Sequence, residues 1–222
     1  MQNSLGELAY RNAHQADNSF LSSGIYLAEY GHSGPAPWCA LFELSAAEFK
    51  AILLEILENE IDGQEWCTAQ FHIATINETP VAAVSAWIEG VNDTSSSLLM
   101  STLMYHFIPE DKRKIAEETL QILSFLRVLR TPGYLQLESI FTLPEYRGKG
   151  IITRLIQHIL EEEKRKYPEL PGAEIQLSSD NKAAIHTYQK CGFEITEMRM
   201  AYEESILDIY PGMGKIKMQK LY

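Results

Sequence analysis

Arg147-Gly148-Lys149-Gly150 is a basic, glycine-flanked turn at the start of a helix, and that combination suits the holding of an anion. The surrounding stretch, LQLESIFTLPEYRGKGIITRLI from Leu135 to Ile156, reads as a strand, a short turn and an amphipathic helix. A helix start carries N–H groups with no partner inside the helix and the positive end of the macrodipole. Glycines there let the backbone approach a phosphate without a Cβ in the way. Two common nucleotide loops are excluded. A P-loop needs Ser or Thr after its Gly-Lys, and Gly150 follows Lys149; a dinucleotide fingerprint begun at Gly148 needs glycine where Thr153 stands.

The turn resembles the acetyl-CoA loop of the GNAT superfamily of N-acetyltransferases, whose signature is Gln/Arg-x-x-Gly-x-Gly/Ala at a strand-to-helix junction. Arg147, Gly148, Lys149, Gly150, Ile151 and Ile152 fill its places, preceded by a Pro-x-Tyr lead-in at Pro144-Glu145-Tyr146. Ile152 stands where the family has Gly or Ala. A second block, from Asn181 through Ala184 and Tyr188 to Gly192-Phe193, resembles the family's Asn-x-x-Ala-x-x-x-Tyr-x-x-x-Gly-Phe. The two blocks in this order are more specific than either alone. The resemblance implies a mixed α/β fold: one GNAT-like domain over residues 1–222 with a central twisted, mostly antiparallel sheet, flanking helices and a parallel strand pair splayed at the acetyl-CoA site.

It also implies roles. Backbone groups of Ile140, Phe141 and Thr142 would take the pantetheine arm and polarise the thioester. The helix start from Arg147 through Gly148, Lys149, Gly150, Ile151 and Ile152 to Thr153 would take the pyrophosphate, with Asn181 bonding the pantetheine or a nearby backbone group. Tyr188 is the candidate acid for the leaving sulfur, since a phenol with pKa near ~10 is protonated at neutral pH. Its structural alternative is a tyrosine that packs a helix on the sheet. Strand alternation puts Gln136, Glu138, Ile140 and Thr142 on one face. Gln136 cannot act as a base. Glu138 can, through a water, and a carboxylate in a partly apolar strand has its pKa raised toward that task. A merely orienting Glu138, with bulk water as base, is the alternative.

The reading is therefore an acetyl-CoA-dependent acyltransferase whose acceptor is a primary amine, on a small molecule or a protein. Two rivals stand beside it: a non-catalytic CoA-binding module of the same fold, favoured by Ile152 and Gln136, and a transferase using a longer acyl-CoA or an alcohol.

Composition adds bounds. The 222 residues carry a formal net charge of −11, which argues against nucleic acid as the main partner and tolerates a cationic amine. His14, His32, His72, His106, His158 and His186 show no metal-ligand spacing, so no metal is expected. Cys39, Cys67 and Cys191 are dispersed and odd in number, and the start MQNSLGELAYRN lacks a basic, apolar leader. The expectation is a cytoplasmic protein with no membrane span.

Periodicity predicts the elements that must position these residues. Strands are expected at Leu8–Arg11, Phe71–Ile76, Val81–Ile88, Tyr134–Phe141, Glu174–Ser178, Phe193–Tyr202 and Lys215–Leu221. The middle pair forms a hairpin over Asn77-Glu78-Thr79-Pro80. Helices are expected from Asp17, after a Ser45 cap, along Pro109–Arg130, from Ile151 and after the N-cap residues Ser179 and Asp180, with a loop over Gly31–Pro37. Residues 91–130 read as a family-specific elaboration, and if Val91–Phe107 covers the cleft it sets acceptor specificity. Trp38, Trp66 and Trp87 are candidates for an acceptor pocket, with core packing as the alternative. Met100, Met104, Tyr105 and Phe107 read as core. A terminal strand after Pro211-Gly212 could reach a second copy, which leaves a homodimer open.

Overall fold

A computed structural model describes residues 6–30 and 36–222. The predicted loop over Gly31–Pro37 therefore lies largely outside the described residues.

The strands are β1 (Leu8–Asn12), β2 (Phe71–Ile76), β3 (Thr79–Ile88), β4 (Leu135–Thr142), β5 (Gly172–Ser178), β6 (Glu194–Met200) and β7 (Gly214–Leu221). They form one seven-stranded sheet in the order β1-β2-β3-β4-β5-β7-β6. Every neighbouring pair is antiparallel except β4 and β5. The fold is thus mixed α/β with a mostly antiparallel sheet, as expected. The β2–β3 turn is tighter than expected. Asn77 and Glu78 alone form it, both at positive φ, as the right-handed twist of a hairpin requires, and Thr79 and Pro80 already belong to β3.

The helices are α1 (Asn18–Tyr30), α2 (Pro37–Leu41), α3 (Ala46–Asn59), α4 (Ser96–Phe107), α5 (Glu110–Leu123), α6 (Ile151–Lys166) and α7 (Lys182–Lys190). Ser45 starts α3 with a capping box: its hydroxyl accepts from Glu48 N–H, while the Glu48 carboxylate accepts from Ser45 N–H at 2.8 Å. One face of the sheet carries α1, α3 and α4 around Leu21, Phe49, Leu53, Trp66 and Phe141; the other carries α6 and α7 around Leu135, Leu137, Leu155, Ile156 and Tyr188. Gly24 lets α1 lie close on β4. A Cβ there would fall 1.9 Å from the Phe141 ring.

Three expectations need correction. The helix over Pro109–Arg130 ends at Leu123. A short 3-10 turn at Ser124–Leu126 follows, and the chain runs on without helical structure as Arg130 is drawn into a network of buried carboxylates. The N-cap of α7 is Asn181 rather than Ser179 or Asp180: its Oδ1 accepts from Ala184 N–H at 3.1 Å. Most consequential, β4 does not alternate throughout. Ser85 pairs with Glu138 and Ala83 with Phe141, so Ser139 and Ile140 lie opposite Val84 alone. Ser139 takes φ +47° to make this bulge. A bulge bends its strand and reverses the faces beyond it. Leu137 and Phe141 accordingly join opposite cores, and Ile140 packs on the Leu137 side. Glu138 and Ile140 do not share a face.

The parallel pairing of β4 with β5 is limited to Leu135–Ala173 and Gln136–Glu174. Beyond those pairs the two strands part, and the site occupies the opening.

Candidate functional site

The turn after β4 is built for backbone donation. Arg147 accepts the chain from a 3-10 turn at Pro144–Tyr146; Gly148 and Gly150 follow at φ +72° and +70°. A Cβ at either glycine would meet no atom within 4 Å, so the dihedral, not crowding, selects glycine. The first bond of α6 runs from Arg154 N–H to Gly150 O at 3.2 Å. Among the described residues, no acceptor receives the N–H groups of Gly148, Lys149, Gly150, Ile151, Ile152 or Thr153. A run of free donors at the positive end of a sixteen-residue helix is a site for a phosphate oxygen.

Side chains frame the turn without filling it. Arg147 Nε donates to Thr142 O at 3.2 Å, Lys149 lies 4.9 Å from the Tyr146 ring centre, and Ile152 turns its side chain into the α6 core. Arg154, which sequence reasoning passed over, folds back on the carbonyls of Lys149 and Gly150 and adds a third cation to the rim.

Where β4 and β5 part, a cavity of about 830 Å³ opens on the α1 side and continues to α7. It brings together Glu138, Ile140, Asn181 and Tyr188 from the predicted set, and the turn at Arg147–Thr153 lies outside its lining. Phe141 is buried in the core against Phe20, so only its backbone could serve a ligand. Trp38 lines the cavity; Trp66 is fully buried in the core, and Trp87 is tied to Glu89. Met100 lines it too, Met104 is core, and Tyr105 is 71% exposed rather than core.

The cavity wall is charged in a way that no single segment announces. Glu29 comes from α1, Glu65 from the approach to β2, Arg130 from the segment before β4, and Lys215 from β7. Arg130 Nη2 bridges Glu65 at 3.1 Å and Glu138 at 3.4 Å. Its other terminal nitrogen, Nη1, donates to Ser96 Oγ, which itself donates to Glu89 at 2.6 Å, and Glu89 also accepts from Ser96 N–H and from Trp87 Nε1. This network fastens the start of α4 over the cavity.

Burial pushes the Glu138 carboxyl up to about 7; Glu65 adds to the rise, and Arg130 and Lys215 oppose it. Burial, with Glu65 and Glu138 nearby, pushes Glu29 up to about 8. Tyr188 is 7% exposed, and burial followed by the Glu138 charge drives its hydroxyl well above the ordinary phenol range. It is therefore held protonated, the state in which a phenol can donate. Glu138 titrates near neutrality, the range that suits a base.

Gln136 has a different task. It is fully buried and donates to Glu174 Oε2 at 3.0 Å; Thr131 N–H and Gln219 Nε2 also reach that carboxylate. Burial works against the Glu174 charge, but these donors, Thr131 foremost, hold its pKa below the ordinary value. Gln136 thus anchors the last paired rung of β4 and β5. Among the described residues, no group of His, Cys, Asp and Glu is arranged to hold a metal ion, and no helix is long and apolar enough to cross a membrane.

Comparison with known proteins follows this geometry. The model of the Acetyltransferase (GNAT) family matches residues 38–193. The chain belongs to that family. An N-acetyltransferase from Staphylococcus aureus Mu50 superposes with a TM-score of 0.65 at 16% identity, over 95% of this chain and 99% of that one. An aminoglycoside acetyltransferase in complex with coenzyme A gives 0.53 at 17% identity, over 97% and 95%. The ribosomal-protein-S18-alanine N-acetyltransferase of Escherichia coli gives 0.53 at 14%, over 97% and 94%. At these identities the likeness speaks for the fold. No curated protein sequence matches the chain. The GNAT family uses acetyl-CoA, and acyl transfer is the general chemistry of that family.

Proposed function

We propose that this protein transfers an acetyl group from acetyl-CoA to a primary amine, with Tyr188 and Glu138 as the proton-handling residues. The observation that carries the proposal is the pairing of a protonated Tyr188 with a carboxyl poised near neutrality in one cavity, where β4 and β5 part. The donor fits the residues present: free N–H groups from Gly148 to Thr153 suit a pyrophosphate, and the unpaired β4 edge at Ile140–Thr142 suits an amide-bearing arm. When bound, acetyl-CoA supplies the activated thioester.

The rest is done by the chain. An ammonium must lose a proton before its nitrogen can attack. Glu138 takes that proton and passes it to solvent. The nitrogen bonds to the carbonyl carbon, the C–S bond breaks, and Tyr188 gives its proton to the departing sulfur. The second amine proton restores Tyr188, so the products are an N-acetyl amide, free CoA thiol and one released proton. Asn181 spends its Oδ1 on the α7 cap, which leaves its amide NH₂ for the pantetheine.

Residues 1–222 are taken as one acetyltransferase domain in which 91–130 is an elaboration. Ser97, Met100 and Ser101 of α4 and Leu123 at the end of α5 roof the cavity and so bear on acceptor choice. The setting proposed is cytoplasmic. The test is thiol release from acetyl-CoA across a panel of amines, with butyryl-CoA beside it. Amine-dependent release supports the reading; release with no amine in the panel, or preference for the longer donor, contradicts it.

A further inference from the structure

Among the described residues, two partly buried titratable groups in the cavity, Glu29 and Lys215, lack a direct hydrogen-bond or ion-pair partner. Glu65 and Glu138 share Arg130, and Glu89 is satisfied by Ser96 and Trp87. Among the described residues, Glu29 and Lys215 make no hydrogen bond and no ion pair within 4.0 Å. They reach the cavity from different elements, α1 and β7. Glu29 is in the last turn of α1, where the helix dipole disfavours a carboxylate and no basic residue offsets it. Lys215 sits on β7 opposite Ser178 of β5, at the rim where β4 and β5 separate. Beyond direct contact, Glu138 foremost, then Glu65 and Glu29, favour the Lys215 charge and Arg130 opposes it, and the phenols of Tyr188 and Tyr210 line the same cavity.

An ammonium and a carboxyl group held partly out of water with no direct ion-pair partner are incompletely compensated. Retaining both on one cavity without a direct ion pair fits a guest that brings the complementary pair. Resting on the acetyl-transfer reading above, we propose that the acceptor is an amine that also carries a carboxylate, an amino-acid-type zwitterion, with its ammonium on the Glu29 side and its carboxylate on Lys215.

A plain alkylamine would leave Lys215 without a direct partner and add an ammonium to a cavity that Lys182 and Lys215 already line. The zwitterion adds no net charge. The donor's phosphates do not claim Lys215, because the Gly148–Thr153 turn lies outside the cavity lining.

The test is calorimetric titration of the full chain, saturated with CoA, using glycine, 4-aminobutyrate, 6-aminohexanoate and lysine. Each is paired with the alkylamine that lacks its carboxylate. At least one amino acid should bind roughly tenfold or more tightly than its partner, a difference of ~1.4 kcal/mol. In Lys215→Met the ratio should collapse to within about threefold, and Lys215→Arg should restore part of it. Glu29→Gln should weaken both members of a pair alike, which provides the check if Lys215→Met does not fold.

Equal or tighter binding of the alkylamines, a preference that survives Lys215→Met, or no binding by any probe overturns the inference. Thiol release with acetyl-CoA, run on the same probes, separates it from the parent reading. Lys215-dependent binding without release contradicts acetyl transfer and leaves the acceptor class standing. Release with alkylamines as fast as with amino acids does the reverse.

Discussion

The turn at Arg147–Thr153 and the cavity between β4 and β5 serve the two ends of one proposed reaction by different means. The turn works through backbone. Its N–H groups are aimed by two positive-φ glycines and a helix start, and its side chains stay at the rim. The cavity works through side chains drawn from α1, the approach to β2, the segment before β4, β4 itself, α7 and β7, with Arg130 tying two carboxylates together. A backbone cradle tolerates exchange of its side chains but not of its dihedrals. A side-chain cavity has the opposite sensitivity.

Predictions that would break or sharpen this contrast begin with Tyr188. Tyr188→Phe should lower kcat by roughly ten- to ten-thousand-fold and leave acetyl-CoA affinity unchanged. Steady-state kinetics with a parallel titration reads both, and unchanged turnover would remove Tyr188 from the mechanism.

Glu138→Gln should lower kcat by roughly a hundredfold. In the parent, the rate should rise with pH through about 7 as the Glu138 carboxyl loses its proton, and the variant should lose that limb. A matching pH–rate profile in parent and variant would make bulk water the base.

Gly150→Ala forces an L-residue to φ +70° at a strain of ~1–2 kcal/mol. If the turn relaxes to escape it, acetyl-CoA affinity should fall by roughly ten-fold. Lys149→Ala, by contrast, should change affinity by less than about threefold at 0.15 M salt.

The smallest effect is expected far from both regions. Ser45→Ala removes one side of the α3 capping box and should cost ~1 kcal/mol of stability in denaturant unfolding, with kcat and acetyl-CoA affinity unaltered.

The same contrast governs what could be read in advance. Gly148, Gly150 and the apolar period of α6 act locally, so their spacing carries the turn's geometry in the sequence itself. The hairpin, the Ser45 cap and the α6 and α7 helices were legible for the same reason. The Ser139 bulge was not. A serine gives no sign that it will take φ +47° inside a strand, and without the bulge the faces of Ile140 and Thr142 are misassigned. Ser179, Asp180 and Asn181 are equally good caps by type, and only the fold selects among the three. Glu29, Glu65, Arg130 and Lys215 are ordinary surface residue types in their own segments. Their meaning depends on long-range closure of the sheet and on α4 being held by Glu89, which no local pattern encodes.

The most direct measurement is calorimetric titration of the parent protein and of Gly150→Ala with acetyl-CoA, with free CoA beside it. The account predicts saturable binding of both ligands to the parent, and binding roughly tenfold weaker in the variant. No binding to the parent at millimolar acetyl-CoA, or equal binding by parent and variant, would contradict the assignment of the donor to the Arg147–Thr153 turn.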